Sequence, residues 1–366
     1  MAGVTYQCLN CGSYLRFRPE LQLWKCDSCD SEYDEKTLLQ MAAKHEHDHD
    51  HDHEHDHAQE HAHEQGAEAA AKDAEGTSQV IYHCPSCGSA VITDETTVAT
   101  HCYYCHNPIV LEGKLTDDLR PEKALPFTIS KEMAVDRFMQ WVSKKRFVPT
   151  GFFAKEQVKN IQGVYYPHFV TDCEVDGTYE GEGTNTSITQ TVNYTVTTTQ
   201  HFHFKRRADI QFKRLMRPAL KSADRKLSDG IHPFPLDNMK EFSGAYLAGF
   251  LAERRDIDKQ DATADIQGEI DGYIRPLLAP TLHYTAHVGN TDADVKKMNS
   301  QYVLLPTWVI SYHREGDKEP YYFAMNGCTG TVCGKLPIAR GKLWLAGGIL
   351  SAALFGAYSL MAYFLF

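Results

Sequence analysis

The stretch QCLNCGSYLRFRPELQLWKCDSC, residues 7–29, decides how the front of this chain folds. It reads Cys-x2-Cys-x14-Cys-x2-Cys, with Cys8, Cys11, Cys26 and Cys29 as the thiols. Two residues between cysteines let both sulfurs of a tight turn face one ion. A 14-residue gap suits a short β-hairpin that returns the second pair to complete a tetrahedral site. The pattern then repeats. YQCLNCGS at 6–13 matches YHCPSCGS at 82–89, an offset of 76, and the second set is Cys84, Cys87, Cys102 and Cys105. Two equal sets of four predict two small β zinc ribbons, over 1–36 and 80–112, each holding one structural Zn2+. Gly12 and Gly88 follow the first pairs, where the turn favours a positive φ.

Between the ribbons, residues 37–79 form a His/Asp-rich and Ala/Glu-rich linker with nothing apolar enough to build a core. Eleven acids and one lysine in 45–78 carry a balance of −10 out of −11 for all 366 residues. The folded parts are therefore close to neutral. His45, His47, His49, His51, His53, His55, His57, His61 and His63 alternate with acids there, a density suited to weak, reversible Zn2+ or Ni2+ binding. The His-Glu-x-x-His matches inside this repeat arise from composition and carry no protease reading.

Working toward the C-terminus, residues 118–336 predict an α+β domain with a mainly antiparallel sheet. Ser130 caps a helix over 131–146 that Pro149 closes, with Ala134, Phe138, Trp141 and Val142 on one face. Residues 164–183 read as two strands turning near Asp176-Gly177, and 187–204 as one half-buried strand. A helical section over 246–278 follows, then strands at 281–288, 301–313 and 319–326, with a last hairpin around Asn326-Gly327 and Thr329-Gly330. No GxxxxGK[ST], GxSxG or GxGxxG occurs, so no enzyme is expected. His201 and His203 share a strand face, a pattern more common for satisfied or exposed histidines than for metal ligands. The basic residues Lys205–Arg207, Lys213, Arg214 and Arg217 invite contact with anionic lipid, against an ordinary exposed face.

Residues 343–366, LWLAGGILSAALFGAYSLMAYFLF, run 24 positions without a charge. As a helix they extend roughly 36 Å, enough to cross a hydrocarbon core of ~30 Å. Lys335, Arg340 and Lys342 on the N-terminal side put the bulk of the chain in the cytoplasm, giving a single-pass, tail-anchored protein of the cell membrane. Gly348, Ala352 and Gly356 make a row of small residues that lets another helix approach, although Gly and Ala are also simply common in spans. No secretory signal opens the chain, so Cys173, Cys328 and Cys333 are expected as buried thiols in a reducing compartment.

Ribbons of this spacing resemble the TFIIB-type zinc ribbon, which would suggest nucleic acid. The charges oppose it: 80–112 has no Lys or Arg, and 1–36 has four basic residues against six acids. The paired ribbons, ALPF at 124–127, KKRFVP at 144–149, GVYYPHFVTDCEVDGTY at 163–179 and AMNGCTGTVCGKLP at 324–337 before an apolar tail resemble a bacterial family. Its members are YdjG-like TFIIB-type zinc ribbon-containing membrane proteins, often mislabelled primosomal protein N′ or superfamily II helicase. The missing P-loop contradicts the helicase label. The resemblance implies PspA-like and SPFH-like protein partners. The sequence thus predicts a non-enzymatic adaptor or scaffold that recruits cytosolic partners to the bilayer, in a context such as envelope stress. The alternatives are a zinc-responsive or metal-buffering regulator using the His tract, and a nucleic-acid-binding ribbon, which charge disfavours.

Overall fold

The computed structural model describes residues 6–38, 40, 71–72, 78–84, 89–102, 105, 107–111, 114–115, 117–149, 161–312 and 321–365. The linker histidines His45 to His63 and Cys87, with Gly88 and His106, lie outside them.

The first ribbon is a three-stranded antiparallel sheet of β1 (Leu15–Arg18), β2 (Leu23–Cys26) and β3 (Glu32–Tyr33). The expected hairpin is there, with Leu15 opposite Cys26 and Phe17 opposite Trp24. In the second ribbon, β5 (Ser78–His83) and β6 (Ala90–Asp94) form a small sheet with β4 (Ala71–Lys72), which falls in the stretch expected as linker. Its next strands, β7 (Thr97–His101) and β8 (Pro108–Val110), belong instead to the large ten-stranded sheet.

That large sheet is dominated by three very long strands: β10 (Gln162–Gln190), β11 (Thr195–Pro218) and β14 (Ala286–Tyr312). Shorter strands complete it: β9 (Lys123–Ala124), β12 (Lys240–Glu241), β13 (Leu251–Glu253), β15 (Tyr321–Asn326) and β16 (Val332–Gly334). Its path runs β12-β9-β14-β10-β13-β7-β8, with β11 on β10 and β15 on β14. Most pairings are antiparallel, and β10 with β13 and β14 with β9 are parallel.

Besides a helical turn at 35–38, the α-helices among the described residues are α1 (Lys131–Ser143), α2 (Arg225–Gly230), α3 (Lys259–Leu278) and α4 (Arg340–Leu365). Ser130 caps α1 as expected, its hydroxyl accepting from the Met133 N–H. The helix ends at Ser143, three residues before the predicted limit. The expected helical section over 246–278 divides into a 3₁₀ turn (Gly244–Leu247), β13 and α3.

Three strand expectations differ from the structure. Asp176-Gly177 is no turn: β10 passes straight through it, opposite Ala208–Asp209 on one side and Ala293–Asp294 on the other. Asp176 is buried and ion-paired with Arg207. Gly177 lies under α3, where an added Cβ would meet the methyls of Ile210 and Ile274 at 2.9 Å. The residue is small because a helix packs on it. Gly181 opposes Gly289 across the ladder, and a Cβ on Gly289 would lie 2.4 Å from the Glu180 carbonyl oxygen. Gly181 and Gly289 thus allow the two long strands to approach closely.

Residues 187–204 likewise span the hairpin turn at 191–194, closed by Thr191 N–H donating to the Tyr194 carbonyl at 2.8 Å. From Thr195 to Phe204 only Phe204 is buried, so this stretch is exposed rather than half-buried. The separate strands expected at 281–288 and 301–313 are one strand, β14.

A core of Ile266, Ile270, Ile274 and Leu278 at helical spacing seats α3 against Val175, Tyr179 and Phe204 of the long strands. The main core lies at the base of the sheet and includes Phe17 and Trp24 of the first ribbon with Phe127, Tyr165, Phe250 and Trp308. Cys173 is buried as expected, whereas Cys328 and Cys333 are only partly so.

Candidate metal centre

In the first ribbon the chain makes the same turn twice. Cys8 N–H donates to the Ser13 carbonyl at 2.6 Å, and Cys26 N–H to the Ser31 carbonyl at 2.9 Å. Gly12 (φ 71°) and Asp30 (φ 57°) hold the left-handed position four residues after each leading cysteine. Glycine has no Cβ to clash there, and aspartate tolerates the conformation.

These turns bring the Cys8, Cys11, Cys26 and Cys29 sulfurs within 4.8 Å of one another. Cys8 Sγ lies 3.4 Å from Cys29 Sγ, and Cys11 Sγ 3.5 Å from Cys26 Sγ. A tetrahedron with Zn–S bonds of about 2.3 Å has sulfur–sulfur edges of about 3.8 Å. The four thiols fit such an ion, and an all-sulfur donor set is consistent with zinc. Cys8 and Cys26 are buried against the body, while Cys11 and Cys29 face solvent.

Neighbouring hydroxyls tune these sulfurs. Tyr33 Oη is 3.2 Å from Cys8 Sγ, and Ser31 Oγ is 3.1 Å from Cys29 Sγ. Burial pushes the Cys8 thiol up, but the Tyr33 hydroxyl and the Asn10 and Cys11 N–H groups outweigh it and bring it to about 6. Hydrogen bonds from the Ser31 hydroxyl and N–H lower Cys29. The Ser13 N–H lowers Cys11, yet its neighbours Cys29 and Cys26 prevail and raise it to about 12. Tyr33 and Ser31 were not singled out by spacing. Their signal was position, since Ser31 is two residues and Tyr33 four residues beyond Cys29 on the returning strand.

The second cluster has the same outline. Cys84, Cys102 and Cys105 gather within 4.8 Å, with Cys84 Sγ 3.6 Å from Cys105 Sγ, the counterpart of Cys8 and Cys29. Cys84 N–H donates to Ser89 and Cys102 N–H to Asn107, both at 2.9 Å. This centre too could hold a metal ion. Lys114 closes the ribbon's base, its Nζ donating to the carbonyls of Asp94, Glu95 and Thr97 at 3.0–3.1 Å over the Tyr82 ring.

No family model matches this chain. Over 242 residues it is 33% identical to YdjG of Bacillus subtilis (strain 168), an uncharacterized protein, covering 65% of this chain and 70% of YdjG. The chain belongs to the YdjG family. No solved structure matches it.

The other candidates fall into place around the two clusters. In this YdjG-family chain, His203 is exposed, 3.8 Å from Glu180 Oε1, and neither His201 nor His203 joins a metal cluster among the described residues. The basic run on β11 is largely spoken for. Lys205 pairs with Glu180 at 2.6 Å, Arg207 with Asp176, Arg214 with Asp237 and Arg217 with Glu269. Glu180 is a strand residue directly opposite Lys205.

Helix α4 is long and apolar enough to cross a membrane, and the fold buries none of the window Arg340–Met361. Lys342 Nζ donates to the Val148 carbonyl at 2.8 Å and Ala339 N–H to Phe147 at 2.7 Å, tying the start of α4 to the body. Gly348, Ala352 and Gly356 lie four residues apart on α4, and a Cβ on either glycine would meet nothing within 4 Å.

Proposed function

We propose that this chain is a non-enzymatic, membrane-anchored zinc-ribbon adaptor. Helix α4 crosses the cell membrane once, and the ribbons with their sheet dock cytosolic protein partners at its cytoplasmic face. The observation that carries this reading is α4 itself: 22 residues of apolar helix, none buried by the fold, joined to a body stapled by two cysteine clusters. In water such a helix leaves a large apolar surface exposed, whereas a bilayer removes that cost and also favours a fully hydrogen-bonded backbone. Lys335, Arg340 and Lys342 at its start support the cytoplasmic placement of the body.

A TFIIB-type character of the ribbons rests on cysteine spacing. Nucleic acid is disfavoured as a ligand because most of the basic run on β11 is engaged by Asp176, Glu180, Asp237 and Glu269. Resemblance supplies the kind of partner: another membrane protein, or a PspA-like or SPFH-like protein in envelope stress. Crosslinking in intact membranes followed by purification of the full chain tests the reading. Recovery of such a protein supports it, and recovery of none overturns it.

A further inference from the structure

The charges on the longest open strand edge stop part-way along it. Among the described residues β11 pairs with β10 alone, so its outer backbone edge is free from Thr195 to Pro218. Open edges pair with other strands unless something blocks them, and charged side chains are a common block. The inner part is blocked in this way by Lys205, Arg206, Arg207, Asp209, Lys213, Arg214 and Arg217. The outer part is not. Residues 183–200, GTNTSITQTVNYTVTTTQ, contain no charge and are rich in β-branched Thr, Val and Ile.

The support of neighbouring strands ends at the same place. The ladder between β10 and β14 finishes at Thr184 opposite Ala286, and Thr285 adds bonds to Asn185 and Thr186, so residues 187–190 and 195–198 form a two-stranded ribbon. Ile188 is 69% exposed, Val192 99% and Tyr194 62%. A lone two-stranded hairpin is marginal in water, and a third strand is what stabilises one. Beyond Gly183, the last buried residue of β10, the strand continues to Gln190, roughly 23 Å at ~3.3 Å per residue, so the tip stands clear of the core.

We propose that this tip is a homotypic docking element, in which the free edge of β11 at Thr195–Gln200 pairs antiparallel with the same segment of a second copy. A second copy fits because the edge is neutral, so identical edges meet without opposing like charges. Both edges are already extended, so neither side pays the ordering cost that a disordered peptide would. An isologous two-fold pairing centred on Thr197 sets Thr197 against Thr197 of the second copy, Val196 against Thr198 and Thr195 against Thr199. All three pairs are wholly β-branched, the composition that cross-strand neighbours favour.

Sedimentation of the full chain in detergent tests this, with Thr197→Lys/Thr199→Lys placing like charges in the centre of the pairing. Thr197→Val/Thr199→Val is the conservative control, and Gly348→Leu/Gly356→Leu alters only α4. The expected result is a dimer in the wild type, the valine variant and the α4 variant. The lysine variant should dissociate at least about tenfold more readily while keeping its circular dichroism and zinc content. A wild type that is monomeric, a lysine variant that stays dimeric, or a dimer lost only in the α4 variant would each overturn the proposal. So would pairing of the edge with an unrelated extended peptide in preference to a second copy.

Discussion

The two ribbons carry the same cysteine frame 76 residues apart and are joined to the body in different ways. The first is held mainly by side chains, with one backbone bond from the Phe17 N–H to the Ala248 carbonyl at 3.1 Å. Phe17 and Trp24 pack on Tyr246 at 5.6 and 5.3 Å between ring centroids, and Trp24 Nε1–H donates to the Ala245 carbonyl at 2.7 Å. The second is held by backbone. Its β7 pairs with β13, Ala99 opposite Ala252 and Thr97 opposite Glu253, and so becomes part of the large sheet. At the positions of Phe17 and Trp24 the second ribbon has Thr93 and Thr100, and at Tyr33 it has Ile109. A metal knuckle is fixed within a few residues, whereas its mode of attachment depends on which side chains the intervening hairpin offers. One motif can therefore serve as a docked module or as a sheet edge.

The largest expected effect comes from breaking the metal sites. Structural zinc contributes apparent free energies on the order of 10 kcal/mol in small zinc peptides. Cys26→Ser should release one ion, unfold the first ribbon and uncover Tyr246 and Phe250. Its cost to thermal stability should exceed that of Cys105→Ser, whose ribbon retains the β7–β13 ladder. Calorimetry with zinc quantification reads both. Equal losses would mean that the attachments do not differ.

Next is the aromatic anchor. Trp24→Ala should cost about 3–5 kcal/mol in denaturant unfolding, through a cavity and the lost bond to Ala245. Thr100→Ala, at the matching position, should cost about 1 kcal/mol or less. A smaller effect is expected from Lys114→Met, which leaves the carbonyls of Asp94, Glu95 and Thr97 without their donor. It should destabilise the second ribbon by about 1–3 kcal/mol and leave metal release from the first unchanged. The smallest change is Tyr33→Phe. Removing the hydroxyl beside Cys8 should weaken metal binding by about tenfold at the first site only, read by competition with a chromogenic chelator. Equal weakening at both sites would remove Tyr33 from its role.

How much of this was legible in the sequence follows from the range of each cause. The knuckles are local, so spacing alone identified Cys8, Cys11, Cys26 and Cys29, and three of the four matching thiols gather as expected. The Ser130 cap and the final turn after Asn326 are equally local. Gly177 suggests a turn, and Gly181 says nothing of its neighbour, because the role of a glycine in a strand depends on a packing partner that the local sequence does not show. Those partners are Ile274 on α3 and Gly289 on β14, about a hundred residues away in sequence. The actual hairpin turn lies at Val192-Asn193 and has no glycine, so nothing in its composition announced it. Tyr33 required the folded ribbon, since only the return of β3 brings its hydroxyl to Cys8.

The central claim is that α4 holds a folded, metal-stapled body at a bilayer. Carbonate extraction of membranes tests it most directly, comparing the full chain with one ending at Ala339. The expected result is full-length chain retained in the membrane pellet with its zinc, and the truncated chain released as a folded, zinc-containing soluble protein. Release of the full-length chain by carbonate would contradict the claim.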